Sequence, residues 1–320
     1  MYKFKFFIYT LLVLIFFGGA HFHKQQIWPF GQGYYVALKD IKKYGINYKN
    51  EKGKAEEKKV EKKGKAEALK MFDVCNIPRS YNVKDNSHAF IGHAYGRHRK
   101  NHKNNYLSPE AENFIRKNLS KLSSLIFTGD VFQSSSAHKW RRLRFEAGEG
   151  MNILVARGNH DQIDIFKESE FGQYSFPHLS SLNEIPLIID DSASNKGGVV
   201  SNETIELANN LEADLLIIAR HHIPVVNLKH LANGGYSFRE LPSVKDLVHK
   251  FDKDKMYYWI IGDGGAFSHL PRLSCLKYKN HTFITNGLGM RVGDSVILLH
   301  DKELSEYVIS SEIMKIEALR

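Results

Sequence analysis

The chain has 320 residues, of which 42% are hydrophobic and 12% aromatic, and a formal net charge of +10. That apolar content is enough for a full core and excludes a disordered or fibrous chain, while two cysteines exclude a disulfide-dense secreted scaffold. The charge is unevenly spread, with +3 in residues 1–38 and +6 in residues 39–70, which leaves +1 for residues 71–320; nucleic acid is therefore not favoured as a partner of the body.

At the amino terminus Lys3 and Lys5 precede an apolar run from Phe6 to Phe17 that closes on Gly18-Gly19-Ala20. Residues 1–22 read as a signal anchor or a signal peptide. An uncleaved anchor is favoured, because the run is aromatic and unbroken, extends to Phe22, and so approaches the ~17 residues of the shortest spanning helices. Trp28, Tyr34 and Tyr35 follow it as interface-type residues. The expectation is a membrane protein with a single-pass N-terminal anchor. Lys3 and Lys5 favour an inside amino terminus and an extracytoplasmic body, although the lysines beyond residue 39 would also suit the anionic cytoplasmic leaflet.

Residues 23–70 read as a juxtamembrane region followed by a Lys/Glu-rich spacer. Residues 51–70 are almost free of large apolar groups and cannot pack a core, so a solvated, partly helical spacer interrupted at Gly53 and Gly64 is expected. Cys75 and Cys275 lack the spacing of a metal pair; buried free thiols are the default, with pairing left open if the body is exported.

Residues 71–320 read as one folded domain. Strand-like runs occur at Ala89–Gly92, Leu125–Phe127, Ile153–Val155, Leu187–Ile189, Leu215–Ala219, Tyr257–Ile261, Thr282–Thr285 and Ser295–Leu299. A helix is expected after Ser108 as its cap, with Pro109 in the first turn and Ala111, Phe114, Ile115, Leu119 and Leu122 on one face. Two more fit Asn202–Leu211 and Val244–Phe251. Alternating strands and helices with a strand-rich end predict an α/β domain of packed sheets with helices outside.

Several of these strands run straight into metal-liking residues. Leu125–Phe127 leads to Thr128-Gly129-Asp130, Ile153–Val155 to Gly158-Asn159-His160-Asp161, and Leu215–Ala219 to Arg220-His221-His222 before Pro224. Such residues emerge at the carboxyl edge of a sheet, where open α/β sheets place their chemistry.

These blocks, spread over most of residues 88–290, resemble the calcineurin-like metallophosphoesterases. The resemblance implies a four-layer αββα sandwich of the metallophosphoesterase type and a centre of usually two metals. Gly129-Asp130 matches the family's second motif, Gly158-Asn159-His160-Asp161 its third, and His221-His222 its fourth. The outer motifs depart from the pattern. His93 stands where the first motif has an aspartate and Tyr95 where it has a histidine; Asp263 and Gly265 stand where the last motif has its two histidines. An acid and a histidine are thus exchanged, which reads as a rebuilt site.

Carried over residue by residue, the resemblance implies one firm metal held by Asp130, Asn159, His221 and Asp263. A second, weaker, substrate-assisted or absent, would have His93, the shared Asp130 and Tyr95. These donors suit Mn, Fe or Zn. His160 is expected as the catalytic histidine with Asp161 orienting it, and His222 as an alternate ligand or a group behind the ligands. Arg97, Arg157 and Arg220, each beside a ligand block, are candidates for the substrate phosphate. The function implied is a membrane-anchored, metal-dependent phosphoesterase that hydrolyses a phosphomonoester or phosphodiester by metal-activated water. The alternatives are a nuclease of the same fold and a catalytically inactive, metal-stabilised scaffold.

Overall fold

The computed structural model describes residues 68, 70–96, 106–162, 165, 175–193, 198–231, 241–263, 275–289 and 294–309. The expected anchor and nearly all of the spacer lie outside the described residues. Ala68, placed by sequence in that spacer, is buried with Phe72 in the core, so the folded body begins before residue 71. Among the described residues no helix is long and apolar enough to cross a membrane.

Two mixed sheets form. One has seven strands in the order β1 (Asp73–Val74), β10 (Cys275–Tyr278), β11 (His281–Thr285), β9 (Met256–Ile261), β8 (Leu215–Arg220), β7 (Ile185–Ile189) and β6 (His178–Leu182). The other has six, ordered β2 (Arg79–Ser80), β13 (Glu303–Val308), β12 (Ser295–His300), β3 (Ser87–Ile91), β4 (Leu122–Phe127) and β5 (Asn152–Val155). Strands β11, β9, β8 and β7 run parallel, as do β3, β4 and β5.

Each central strand is apolar on both faces because each face is covered. Along β3, β4 and β5, Phe90, Ile126 and Leu154 point inward to meet Leu187, Ile217, Ile260 and Ile284 of the other sheet. The alternate residues Ile91, Leu125, Phe127 and Ile153 face α1 (Pro109–Asn118) and α2 (Ala137–Ala147), through Phe114, Trp140 and Leu143. On the far side Leu216, Ile218 and Trp259 pack against α3 (Asn202–Asn210), α4 (Val226–Leu231) and α5 (Val244–Val248). The layers are helix, sheet, sheet, helix, the α/β sandwich expected. Each fully buried aliphatic side chain in them contributes about 1.5–3 kcal/mol.

Four of these five helices start on serines. Ser108, Ser136, Ser201 and Ser243 each accept a hydrogen bond from a backbone N–H of the first turn of α1, α2, α3 and α5. Helix α2 sets Lys139, Arg141, Arg142 and Arg144 around a short buried stripe of Trp140, Leu143 and Ala147.

The cysteines correct the expectation of free thiols. Cys75 and Cys275 form a disulfide across 200 residues of sequence, tying the segment after β1 to the start of β10. The pairing of β1 with β10 puts the two residues side by side, a proximity that no sequence spacing encodes.

Candidate metal centre

The parallel strands deliver their trailing loops to one edge. Backbone hydrogen bonds then lock those loops together: Thr128 N–H donates to Ile91 O, His93 N–H to Gly129 O, and Asp263 N–H to His221 O. Asn286 joins the two sheets there. Its N–H donates to Ile261 O, its side-chain amide to Phe90 O, and its carbonyl accepts from the Thr128 hydroxyl.

Two glycines make the approach close enough. A Cβ at Gly158 would run into the Asp130 carboxylate, and one at Gly129, whose φ is 87°, would lie 2.5 Å from the His221 side chain. His93 and Asp130 themselves adopt left-handed backbone, with φ of 50° and 54°. Such conformations cost of order 1–3 kcal/mol for residues with a Cβ and concentrate at functional sites.

Asp130 is the hub. Its Oδ1 accepts the His160 N–H at 2.9 Å, while its Oδ2 faces His93 Nε2 at 3.2 Å and His221 Nε2 at 3.4 Å. Asp263 Oδ1 lies 3.9 Å from His93 Nε2. His93, His221 and Asp263 each offer a ligand atom, all within 4.8 Å of one another. Ligand atoms about 2.1 Å from one ion stand roughly 3.0–3.5 Å apart when adjacent; the contacts of Asp130 with His93 and His221 meet that spacing, and Asp263 at 3.9 Å from His93 lies just beyond it. His221 supports the fit: its Nδ1 donates to Thr128 O at 3.1 Å, which turns its buried Nε2 toward Asp130 Oδ2 at 3.4 Å. A carbonyl on one ring nitrogen fixes the tautomer that leaves the other free to ligate.

The electrostatics show how strongly the groups interact. Burial opposes ionisation of Asp130, but the His221 charge and hydrogen bonds from His221 and His93 hold its carboxyl well below the usual range. Burial likewise opposes a charge on His221, yet Asp130 outweighs it and raises the imidazole to about 9. His222 goes the other way, to about 3, through burial and then the charges of His221 and Arg220. Its Nδ1 meets Ser192 Oγ at 3.2 Å, behind His221.

The remaining expected residues divide. Asn159, expected as a ligand, is exposed in the turn after β5. Tyr95 is buried, its ring 4.8 Å from that of His93 and 5.3 Å from that of His160. Arg97 and Gly265 lie outside the described residues.

The expected role of Asp161 is corrected: it holds the loops, not the His160 ring. Its Oδ2 accepts the N–H groups of Asp130 and Gly158 at 2.8 and 3.0 Å, and its Oδ1 that of Val131 at 3.2 Å. Burial and then the Asp130 charge push its carboxyl to about 6 against those bonds. The partner of His160 is the Gln133 carbonyl, 3.0 Å from Nδ1.

Two arginines are also corrected. Arg220 is wholly buried, with NH1 3.0 Å from Asp190 Oδ2 and its other nitrogens donating to the carbonyls of His222 and Gly198. Its guanidinium is closed off from solvent. Arg157 is buried and grips Asp191 Oδ2 through NH2 at 2.9 Å and Nε at 3.2 Å. Sequence reading missed Asp190, Asp191 and Ser192, although they follow the apolar strand Leu187–Ile189 as the other blocks follow theirs.

No protein-family model matches the chain, and no curated protein matches it. Among solved structures, a conserved uncharacterized protein from Streptococcus pneumoniae, described as a predicted phosphoesterase, aligns with 68% of this chain and 84% of its own, at 13% identity and a TM-score of 0.30.

Proposed function

We propose that the chain is a metal-dependent phosphoesterase of the calcineurin-like type with a rebuilt centre. The observation that carries this reading is the gathering of His93, His221 and Asp263, with His93 and His221 both facing Asp130, at the edge where His160 also stands. In this reading His93, Asp130, His221 and Asp263 hold a single Mn, Fe or Zn ion, with His93 joining the firm site instead of serving a second one. When bound, such an ion supplies Lewis acidity, acidifying water and neutralising phosphoryl oxygens.

The chain's own groups do the rest. Water adds to phosphorus as the bond to the leaving oxygen breaks, and His160, its Nδ1 held by Gln133 O, gives a proton from Nε2 to that oxygen; one water proton stays on the phosphate product and the other passes to solvent, from which His160 is reprotonated. Asp161 fixes the backbone of both motif loops. Arg220–Asp190 and Arg157–Asp191 hold the loops that present His221 and follow β5.

An extracytoplasmic body belongs to the same reading. The Cys75–Cys275 disulfide supports it, since such bonds persist in oxidising compartments. The N-terminal anchor is retained as part of the proposal on the strength of residues 1–22.

The test is hydrolysis of para-nitrophenyl phosphate and bis-para-nitrophenyl phosphate by the full chain with Mn²⁺. Turnover lost in Asp130→Ala and His160→Ala, with folding unchanged, supports the reading. No turnover with any metal assigns the centre to a scaffold, and cleavage of single-stranded DNA with poor turnover of small esters assigns it to a nuclease.

A further inference from the structure

An open cavity of about 680 Å³ lies between the two sheets, away from the metal centre. Strand direction places it. Its lining includes Ser87 at the start of β3 and Tyr258 and Thr282 early in β9 and β11, whereas His93 and Asp263 follow the far ends of β3 and β9. The segment between β1 and β2 walls one side, for β1 pairs into one sheet, β2 into the other, and Cys75–Cys275 pins the crossing.

The lining has two chemistries. Its apolar part, Ile77, Tyr258, Ile284 and Leu304, belongs to or packs on the inter-sheet core, which is therefore open to solvent at this end. Its polar part holds Arg79, Lys84, Lys277 and Lys302 against the single carboxylate of Glu303. Residues 71–320 carry a formal charge of only +1, so this is a local concentration of cations. Arg79 has the half-buried Glu306 at 3.8 Å, and Lys302 has Glu184 at 3.5 Å in an exposed pair of little strength that an anion can displace.

We propose that this cavity binds an anionic amphiphile, with its apolar chain between the sheets and its phosphate or carboxylate head among Arg79, Lys84, Lys277 and Lys302. The volume is in the range of small-molecule sites, about 300–1,000 Å³. The alkyl stems of the lysines lengthen the apolar wall while their ammonium groups stay in water. The site is independent of the metal centre and does not rest on its proposed chemistry.

The experiment uses the full chain in a neutral detergent with an alkyl phosphate bearing a photoactivatable group on its tail, followed by mapping of the labelled peptides. Labelling is expected on the segments around Ile77, Tyr258, Ile284 and Leu304, with competition by dodecyl phosphate and not by dodecyl maltoside or inorganic phosphate. Lys277→Glu with Lys302→Glu lowers that labelling at least fivefold while hydrolysis at the metal centre is unchanged. Competition by phosphatidylglycerol vesicles as well as by dodecyl phosphate identifies a membrane lipid as the source; competition by dodecyl phosphate alone identifies a free amphiphile. Labelling indifferent to the charge reversals, equal competition by dodecyl maltoside or inorganic phosphate, or labelling only on other segments overturns the proposal.

Discussion

His93 Nε2 lies 3.2 Å from Asp130 Oδ2, and both residues hold left-handed backbone to achieve it. A histidine in the first loop thus reaches the carboxylate that also faces His221. This contact joins the first and fourth motif blocks at one oxygen.

The proposed mechanism gives proton transfer to His160, whose ring is held at Nδ1 by the Gln133 carbonyl. His160→Ala should lower kcat by about 10²–10⁴ and leave Mn²⁺ affinity within a few fold. Steady-state kinetics and metal titration on the same variant check it; loss of both together would make His160 a ligand.

The buried Arg220–Asp190 pair should behave as a structural link. Removing one partner of a buried pair typically costs about 3–5 kcal/mol. Arg220→Met and Asp190→Asn are each expected to lower stability by that order in urea unfolding. A stable Arg220→Met chain with raised KM would restore the phosphate-binding role that the burial of Arg220 argues against.

The disulfide closes a span of 200 residues. Chain-entropy arguments and measured removals put such a bond at about 2–5 kcal/mol. Cys75→Ala and Cys275→Ala should lose equal stability, the same as reduction of the parent chain. Unequal losses would mean that packing at one thiol dominates.

His281 gives a pH dependence remote from the metal centre. It is buried, stacks 4.5 Å from Tyr257, and accepts the Trp259 Nε1–H on Nδ1 at 2.9 Å; burial lowers it to about 3. The folded state therefore resists protonation that the unfolded chain accepts near its ordinary value of 6.5. Its contribution is complete above pH 6.5 and is lost as pH falls toward 3, with roughly 2 kcal/mol gone between pH 7.5 and 5. Urea unfolding of the parent chain and of His281→Phe at those pH values tests this: the variant should lack that share of the acid loss.

The layers were legible because each central strand is apolar on both faces, a pattern that survives without context. Half-polar strands such as β6, at a sheet edge, and β13, beside the two-residue β2, carry no such signal. In the site, Asp130 with Gly129 before it, and His221, were visible as strand-end blocks. The partners of Arg157 and Arg220 were not, because each lies some 30 residues away in sequence and an arginine beside a ligand looks the same whether it faces a substrate or a buried aspartate. The place of His93 depends on a left-handed turn that its neighbours do not announce.

The most direct test of the account is an anomalous-difference map from crystals of the full chain loaded with Mn²⁺. One peak within bonding distance of His93 Nε2, Asp130 Oδ2, His221 Nε2 and Asp263 Oδ1 is the predicted result. Two peaks sharing Asp130, or one peak that His93 does not touch, would contradict it.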